Sequence, residues 1–328
     1  MTYIRPDVKI LLDMLAAQPG PQMHEGDPAT ARQMMRMMGQ LADARRGELA
    51  RVEDFTIPSP HGHAIPARLY SAVASPAAGP VLVFYHGGGW VIGDLETHDP
   101  LCAEIARVLG LTVVSVDYRL APEHPFPAAT EDCLTATHWL AGSPAIVGHP
   151  VTGLIPAGDS AGGNLAAVIT QQQHGQLAVP IIAQWLIYPG VDMTANAGSM
   201  QEFAEGYLLS FEGMRWFTQH YMGATPDFTH AYASPLHVAS LAGLPPAMVF
   251  TCGLDPLRDQ GRAYAAKLVQ HGVRTVFREA AGQIHGCMNL RGAIPSTNAD
   301  LHGCLSDLRL LIDEATTSRS AQLAEAAE

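Results

Sequence analysis

VTGLIPAGDSAGGN, residues 151–164, runs from a β-branched apolar stretch straight into a serine set between close-spaced glycines. The apolar part has the look of a strand covered on both faces, and the residues after Ser160 begin a helical pattern. A small polar side chain at such a strand-to-helix turn, spaced Gly-x-Ser-x-Gly, matches a nucleophile elbow. The pattern is short and also suits a serine that merely caps a helix. Its partners must come from the rest of the chain.

Working outward, PVLVFY, LTVVSV, IIAQWLIY and PAMVFT are further continuous apolar runs, whereas VEDFTIPS and AIPARLYS alternate as edge strands do. Helical stretches fall between them at about residues 97–110, 127–142, 160–174, 257–271 and 298–315. Strands alternating with helices predict an α/β fold, a mostly parallel central sheet of about eight strands flanked by helices. Residues 51–189 and 233–316 are expected to form this α/β domain. The long connection after Tyr188 exceeds what a crossover needs, and residues 190–232, rich in Met and aromatic side chains from Met193 to Phe217, predict a cap insertion. Residues 1–50 predict N-terminal helices. Val8, Leu11, Leu12 and Leu15 share one helical face, a Met-rich stretch spans residues 28–50, and the breaker-rich QPGPQMHEGDP lies between. Residues 317–328 are expected to be a flexible tail.

Composition narrows the function. Of 328 residues 48% are hydrophobic and 15% charged, ample for a packed core and unlike a disordered chain. The net charge is −12 and the only lysines are Lys9 and Lys267, so no basic stripe is available for phosphates, and neither nucleic acid nor an anionic membrane is an expected partner. The five cysteines form no Cys-x-x-Cys pair, which points to a reducing compartment, and no apolar run reaches the ~18 residues of a membrane span. A soluble, cytoplasmic protein is expected. His61 and His63 flank Gly62 without further ligands at metal spacing, so no metal is expected, and no cofactor is called for.

A serine hydroxyl needs a base to take its proton and a third group to orient that base. In doubly wound sheets such groups gather beyond the carboxyl ends of strands. PAMVFT is followed by CGLDPLRD, which puts Asp255 at a strand end; TVFRE is followed by AAGQIHG, which puts His285 in the next such loop. Asp259 would already lie one turn into the following helix, and His271 and His302 sit in helical patterns. Asp255 could instead cap the helix starting at Pro256. The order Ser160, Asp255, His285 is that of a hydrolase triad. PVLVFY runs into His86-Gly87-Gly88-Gly89-Trp90, whose bare amides could hold an oxyanion. Gly88, Gly89 and Ala161 are the expected donors. A phosphate loop is not indicated, because neither Gly-x-Gly-x-x-Gly nor Gly-Lys-Ser/Thr occurs.

With HGGGW, GDSAGGN, DPLRD and IHG in this order, and with HGGGWVIGDLETHD and VDYRLAPEHPFPAA beside them, the chain resembles the hormone-sensitive-lipase-like α/β-hydrolases, the bacterial family IV esterases, over roughly residues 50–316. The resemblance implies an α/β-hydrolase fold with a helical cap, of which the N-terminal helices of residues 1–50 are part, and a carboxylesterase acting on short- to medium-chain acyl esters. The GDSAG form places it in that branch, and a homodimer is a further family expectation. An amidase or acyltransferase would use the same triad; a non-catalytic receptor on this fold would lack the histidine that this chain keeps. Trp90, Tyr188, Tyr207, Cys287 and Met38 are expected to line the substrate pocket, Cys287 standing where many relatives carry an aromatic. Asp117, Tyr118, Arg119, Glu123 and Asp159 are expected to make structural polar contacts behind the site.

Overall fold

Val81, Val83 and Tyr85 turn to one face of a sheet and Leu82 and Phe84 to the other, all fully buried, as alternation along a strand covered on both sides requires. The structure, a computed structural model, describes residues 2–17, 20, 22–224 and 226–325, with side chains as far as Thr317. In chain order its elements are α1 (Pro6–Ala17), α2 (Pro28–Ala42), β1 (Arg51–Pro58), β2 (Ala64–Ser71), β3 (Gly79–Tyr85), α3 (Asp99–Leu109), β4 (Thr112–Val116), α4 (Ala128–Ala141), β5 (Val151–Asp159) and α5 (Ala161–Gln173). There follow β6 (Gln184–Ile187), α6 (Ser199–Glu202), α7 (Phe211–Met222), β7 (Ala247–Leu254), α8 (Arg258–Gln270), β8 (Thr275–Ile284) and α9 (Thr297–Glu325).

The eight strands form one sheet in the order β1-β2-β4-β3-β5-β6-β7-β8. From β4 to β8 neighbours run parallel, and β1 and β2 add an antiparallel edge. One core layer joins α4, α5 and α8 to the sheet through residues such as Cys133, Leu165 and Leu268; the other joins α3 and α9 through Ile105, Leu305 and Leu308. This is the α/β-hydrolase architecture, with each parallel strand delivering its C-terminal loop to one edge. All five cysteines are buried and free. No helix among the described residues is long and apolar enough to cross a membrane.

The N-terminal helices differ in detail from the pattern read above. In α1, Val8 and Leu11 are buried but Leu15 is 45% exposed. Pro28 at N1 and the Asp27 side chain, accepting from Thr30 N at 2.9 Å, start α2. It stops at Ala42, eight residues short of the expected stretch, because Asp43 turns extended and its carboxylate accepts from Ala44 N at 2.7 Å. Ser210 caps α7 by accepting from Gly213 N at 3.1 Å. Residues 18, 19 and 21 of the breaker-rich stretch lie outside the described residues. So do 326–328 of the expected tail, whose backbone is helical to Glu325.

Candidate active site

β5 ends at Asp159 and α5 begins at Ala161, so the whole reversal falls on Ser160, at φ 57° and ψ −116°. A non-glycine residue there is strained by about 1–3 kcal/mol and persists only where its surroundings hold it. They do so on both sides. Ser160 N donates to Ile187 O at 2.9 Å, and Ser160 O accepts from Asn164 N at 3.0 Å and Gly190 N at 3.3 Å. The hydroxyl is left facing His285, whose Nε2 lies 2.9 Å from Ser160 Oγ. His285 Nδ1 is 2.8 Å from Asp255 Oδ2, and Asp255 Oδ1 accepts from Leu257 N at 2.7 Å. Asp255 is fully buried and His285 is 8% exposed. Leu254 and Ile284, the residues just before acid and base, are register partners in β7 and β8. Asp259 is elsewhere: it accepts from Ser199 N at 2.9 Å and pairs with Arg258 and Arg262.

The glycine loop after β3 lies beside this row. Gly88 and Gly89 have φ of 117° and 57°, conformations that β-carbons disfavour. Gly87 N is taken by Asp159 Oδ1 at 2.8 Å, whereas the amides of Gly88, Gly89 and Ala161 meet no acceptor among the described residues. Ala161 is the first residue of α5, where an unpaired N–H is inherent in helix geometry. Phe217 and Tyr221, one turn apart on α7, cover the loop. A β-carbon at position 89 would strike the Phe217 ring, and Tyr221 stacks on Trp90 with centroids 4.3 Å apart.

Asp159 ties three loops together. Besides Gly87 it meets His98 Nε2 at 3.1 Å and accepts from Asn289 Nδ2 at 3.3 Å. Burial alone would raise its pKa, but His98 and the Gly87 amide outweigh that and hold the carboxyl below its ordinary value. A carboxyl depressed on folding adds stability above its unfolded pKa of ~3.9, and that contribution is lost as the pH falls toward the folded value. Asp159→Asn is therefore expected to be less stable at pH 7 yet to lose less of its urea midpoint between pH 5 and pH 3 than the parent. Equal acid sensitivity of the two would show that Asp159 is not an acid-labile tie.

Behind the loop, His86 is pushed down to about 4 by burial and by His98, so it is neutral at pH 7. Tyr118 stacks on it and donates to His86 O at 2.7 Å. Asp117, pushed up to about 6 by burial and by Asp94, lies 3.8 Å from His86 Nε2. Arg119 pairs with Asp132 and Glu131, and Glu123 with Arg32 of α2.

The expected pocket residues divide. Met38 and Tyr207 are half-buried against a cluster that includes Ile284 and Phe203. Two others require correction. Gly286, at φ 76°, turns the chain inward, so Cys287 is fully buried with its Sγ 3.6 Å from that of Cys252 and forms no pocket wall. Tyr188 is 1% exposed and stands behind the imidazole, ring centroids 4.7 Å apart. Trp90 keeps only 7% exposure beneath Tyr221. Sequence reading missed Tyr221 and His98; the i, i+4 spacing of Phe217 and Tyr221 was the available signal for the first. A cavity of about 550 Å³ opens instead between α2 and α3, lined by charged residues including Arg36, Asp43, Arg46 and Glu96. It contains no triad member, and its rim does not suit an acyl chain.

Comparison with known proteins places the chain among esterases of this fold. A family model described as alpha/beta hydrolase fold matches residues 82–289. The chain is 43% identical to the carboxylic ester hydrolase LipN of Mycobacterium tuberculosis over 73% of its own length and 65% of LipN's. It is 34% identical to an ethyl acetate hydrolase of Pseudomonas putida over 91% of its length and 96% of that protein's. Among solved structures, the ester-hydrolase EH1AB1 from the Lake Arreo metagenome, complexed with a bipyridine phosphonate derivative, superposes with a TM-score of 0.89 at 36% identity, covering 94% of this chain and 99% of that one.

Proposed function

Because the chain belongs to the hormone-sensitive-lipase-like, family IV group of α/β-hydrolases, we propose that it is a carboxylesterase working through Ser160, His285 and Asp255. The observation that carries this reading is the unbroken row Ser160 Oγ, His285 Nε2, His285 Nδ1, Asp255 Oδ2, with spacings of 2.9 and 2.8 Å, beside the Gly88, Gly89 and Ala161 amides, which meet no acceptor among the described residues. His285 Nε2 takes the hydroxyl proton as Oγ attacks the ester carbonyl. Asp255 accepts from Nδ1–H, fixing the tautomer and stabilising the imidazolium. The carbonyl oxygen, now anionic, is held by the Gly88, Gly89 and Ala161 amides, each such donor being worth ~3–4 kcal/mol in comparable sites. The imidazolium returns its proton to the leaving alcohol. Water, activated by the same base, then releases the acid from the acyl-enzyme. Stoichiometric labelling of Ser160 by an organophosphonate, read by mass spectrometry, tests the assignment; an unlabelled Ser160 in active protein would remove it.

The ester is a small molecule with a short to medium acyl chain, enclosed by a cap made of the N-terminal helices and residues 190–232. Phe217 lies directly against an oxyanion donor, which supports its limiting the space around the ester carbonyl. Phe217→Ala is expected to raise the ratio of kcat/KM for hexanoate over acetate esters by at least about tenfold, the low end of the discrimination that one methylene in a hydrophobic pocket provides. A panel graded in both acyl length and alcohol bulk measures this, and an unchanged profile would take Phe217 out of the pocket.

A further inference from the structure

β8 does not run straight into His285. At Gly282, φ 71°, the strand bends, and a β-carbon there would lie 2.7 Å from the Tyr3 ring and 3.0 Å from Arg5 N. The N-terminal residues are thus strapped across the bend. Arg5 N donates to Gly282 O at 3.2 Å and Arg5 Nε to Ala281 O at 3.0 Å. The guanidinium then grips Asp300 with both arms, at 2.5 and 3.0 Å, and reaches Ser296 Oγ at 3.3 Å. Asp7 seals the same corner by accepting from Ser296 N at 2.8 Å and Ser296 Oγ at 3.1 Å. Gln283, fully buried, donates to Thr297 Oγ1 at 2.9 Å. One turn further, Val8 and Leu11 bury against Leu254 and Ile284, the paired residues that lead into Asp255 and His285.

We propose that Arg5 is a positioning residue for His285: its clamp on Ala281, Gly282 and Asp300 sets the bend of β8 and hence the approach of the imidazole to Ser160. This rests on reading His285 as the base. Arg5 touches no reacting atom, so its effect reaches the chemistry only through the backbone it holds. At 17% and 16% exposure the Arg5–Asp300 pair is shielded from solvent, and its bidentate geometry is one that lysine cannot copy.

Arg5→Ala, Arg5→Lys, Asp300→Ala and the Arg5→Ala/Asp300→Ala pair test this in the full-length chain, assayed at a temperature where circular dichroism shows each to be folded. Arg5→Ala is expected to lower kcat by about tenfold with KM within about twofold, below the ~10²-fold that a 1 Å misplacement can cost. The rate of Ser160 phosphonylation should fall by the same factor, the double variant should be no worse than Arg5→Ala, and Arg5→Lys should lie between Arg5→Ala and the parent. A parental kcat in folded Arg5→Ala, with only the melting temperature lowered, overturns the proposal. Should Arg5→Ala not fold, a parental kcat and KM in Arg5→Lys overturns it instead. His285→Ala, measured alongside, separates the two readings: retained turnover there defeats the base assignment, whereas lost turnover with Arg5 variants at parental kcat defeats only the strap.

Discussion

Ser160→Ala is expected to lower kcat for a p-nitrophenyl acetate-type ester by about 10⁶-fold, the scale seen when a serine nucleophile is removed from a comparable triad. The loss is in chemistry. Among the described residues the Ser160 side chain is hydrogen-bonded only to His285, while the backbone bonds from Ser160 N to Ile187 O and from Asn164 N to Ser160 O need no hydroxyl. The melting temperature should therefore stay near the parental value, and phosphonate labelling should vanish. The surviving amides of Gly88, Gly89 and Ala161 would leave a residual rate about 10³–10⁴ above water, so a small activity is compatible with the mechanism. Activity within about tenfold of the parent would not be, because the other side-chain oxygens of the row, those of Asp255, are fully buried and already engaged by His285 and Leu257 N.

Backbone punctuation made the placement of the proposed triad legible. Ser160 and Asp255 each follow an apolar run, and His285 the mixed strand TVFREAAGQI, at points where glycine or proline breaks the pattern, and in a parallel sheet all such points lie on one edge. Helix limits were readable for the same reason: residues 160–174 and 257–271 were expected, and α5 and α8 span Ala161–Gln173 and Arg258–Gln270. Side-chain direction was not readable. Whether Cys287 faces the pocket or the core turns on one left-handed residue, Gly286, and no periodicity announces which way the chain leaves it. Trp90 follows the expected loop, yet its face is taken by Tyr221 from a segment more than a hundred residues away. Arg5 meets Ala281 across a separation of 276 residues, and Asp159 draws its partners from two loops distant in sequence. Contacts of that kind exist only after folding, which is why the meeting of Ser160, His285 and Asp255 was expected from sequence while the walls and supports around them were not.

The larger structural effect is expected at Gly162, where substitution by alanine should abolish soluble, active protein or cost more than ~4 kcal/mol of stability. The reason is the approach of α5 to the end of β3. A β-carbon at 162 would stand 2.6 Å from the carbonyl carbon of Tyr85, nearer still to its oxygen, and 2.7 Å from the carbonyl oxygen of His86. These are backbone atoms in the central pair of the sheet, where Tyr85 is in register with Gly158, so they cannot swing aside as a side chain would. Relief requires α5 to lift from the sheet, which carries Ser160 away from His285 and moves the Ala161 amide with it. Gly163→Ala is the matched control: its β-carbon would lie 3.0 Å from Pro189 Cβ and 3.1 Å from Gly158 O and Pro189 Cα, tight contacts that shifts of a few tenths of an ångström relieve, unlike the overlap at 162. Gly163→Ala should fold and retain most of its kcat, whereas Gly162→Ala should not. Thermal melts and esterase assays on the pair decide it: a Gly162→Ala protein with parental stability and kcat would mean that the elbow tolerates sliding, and that the glycine is not what brings helix, strand and nucleophile into register.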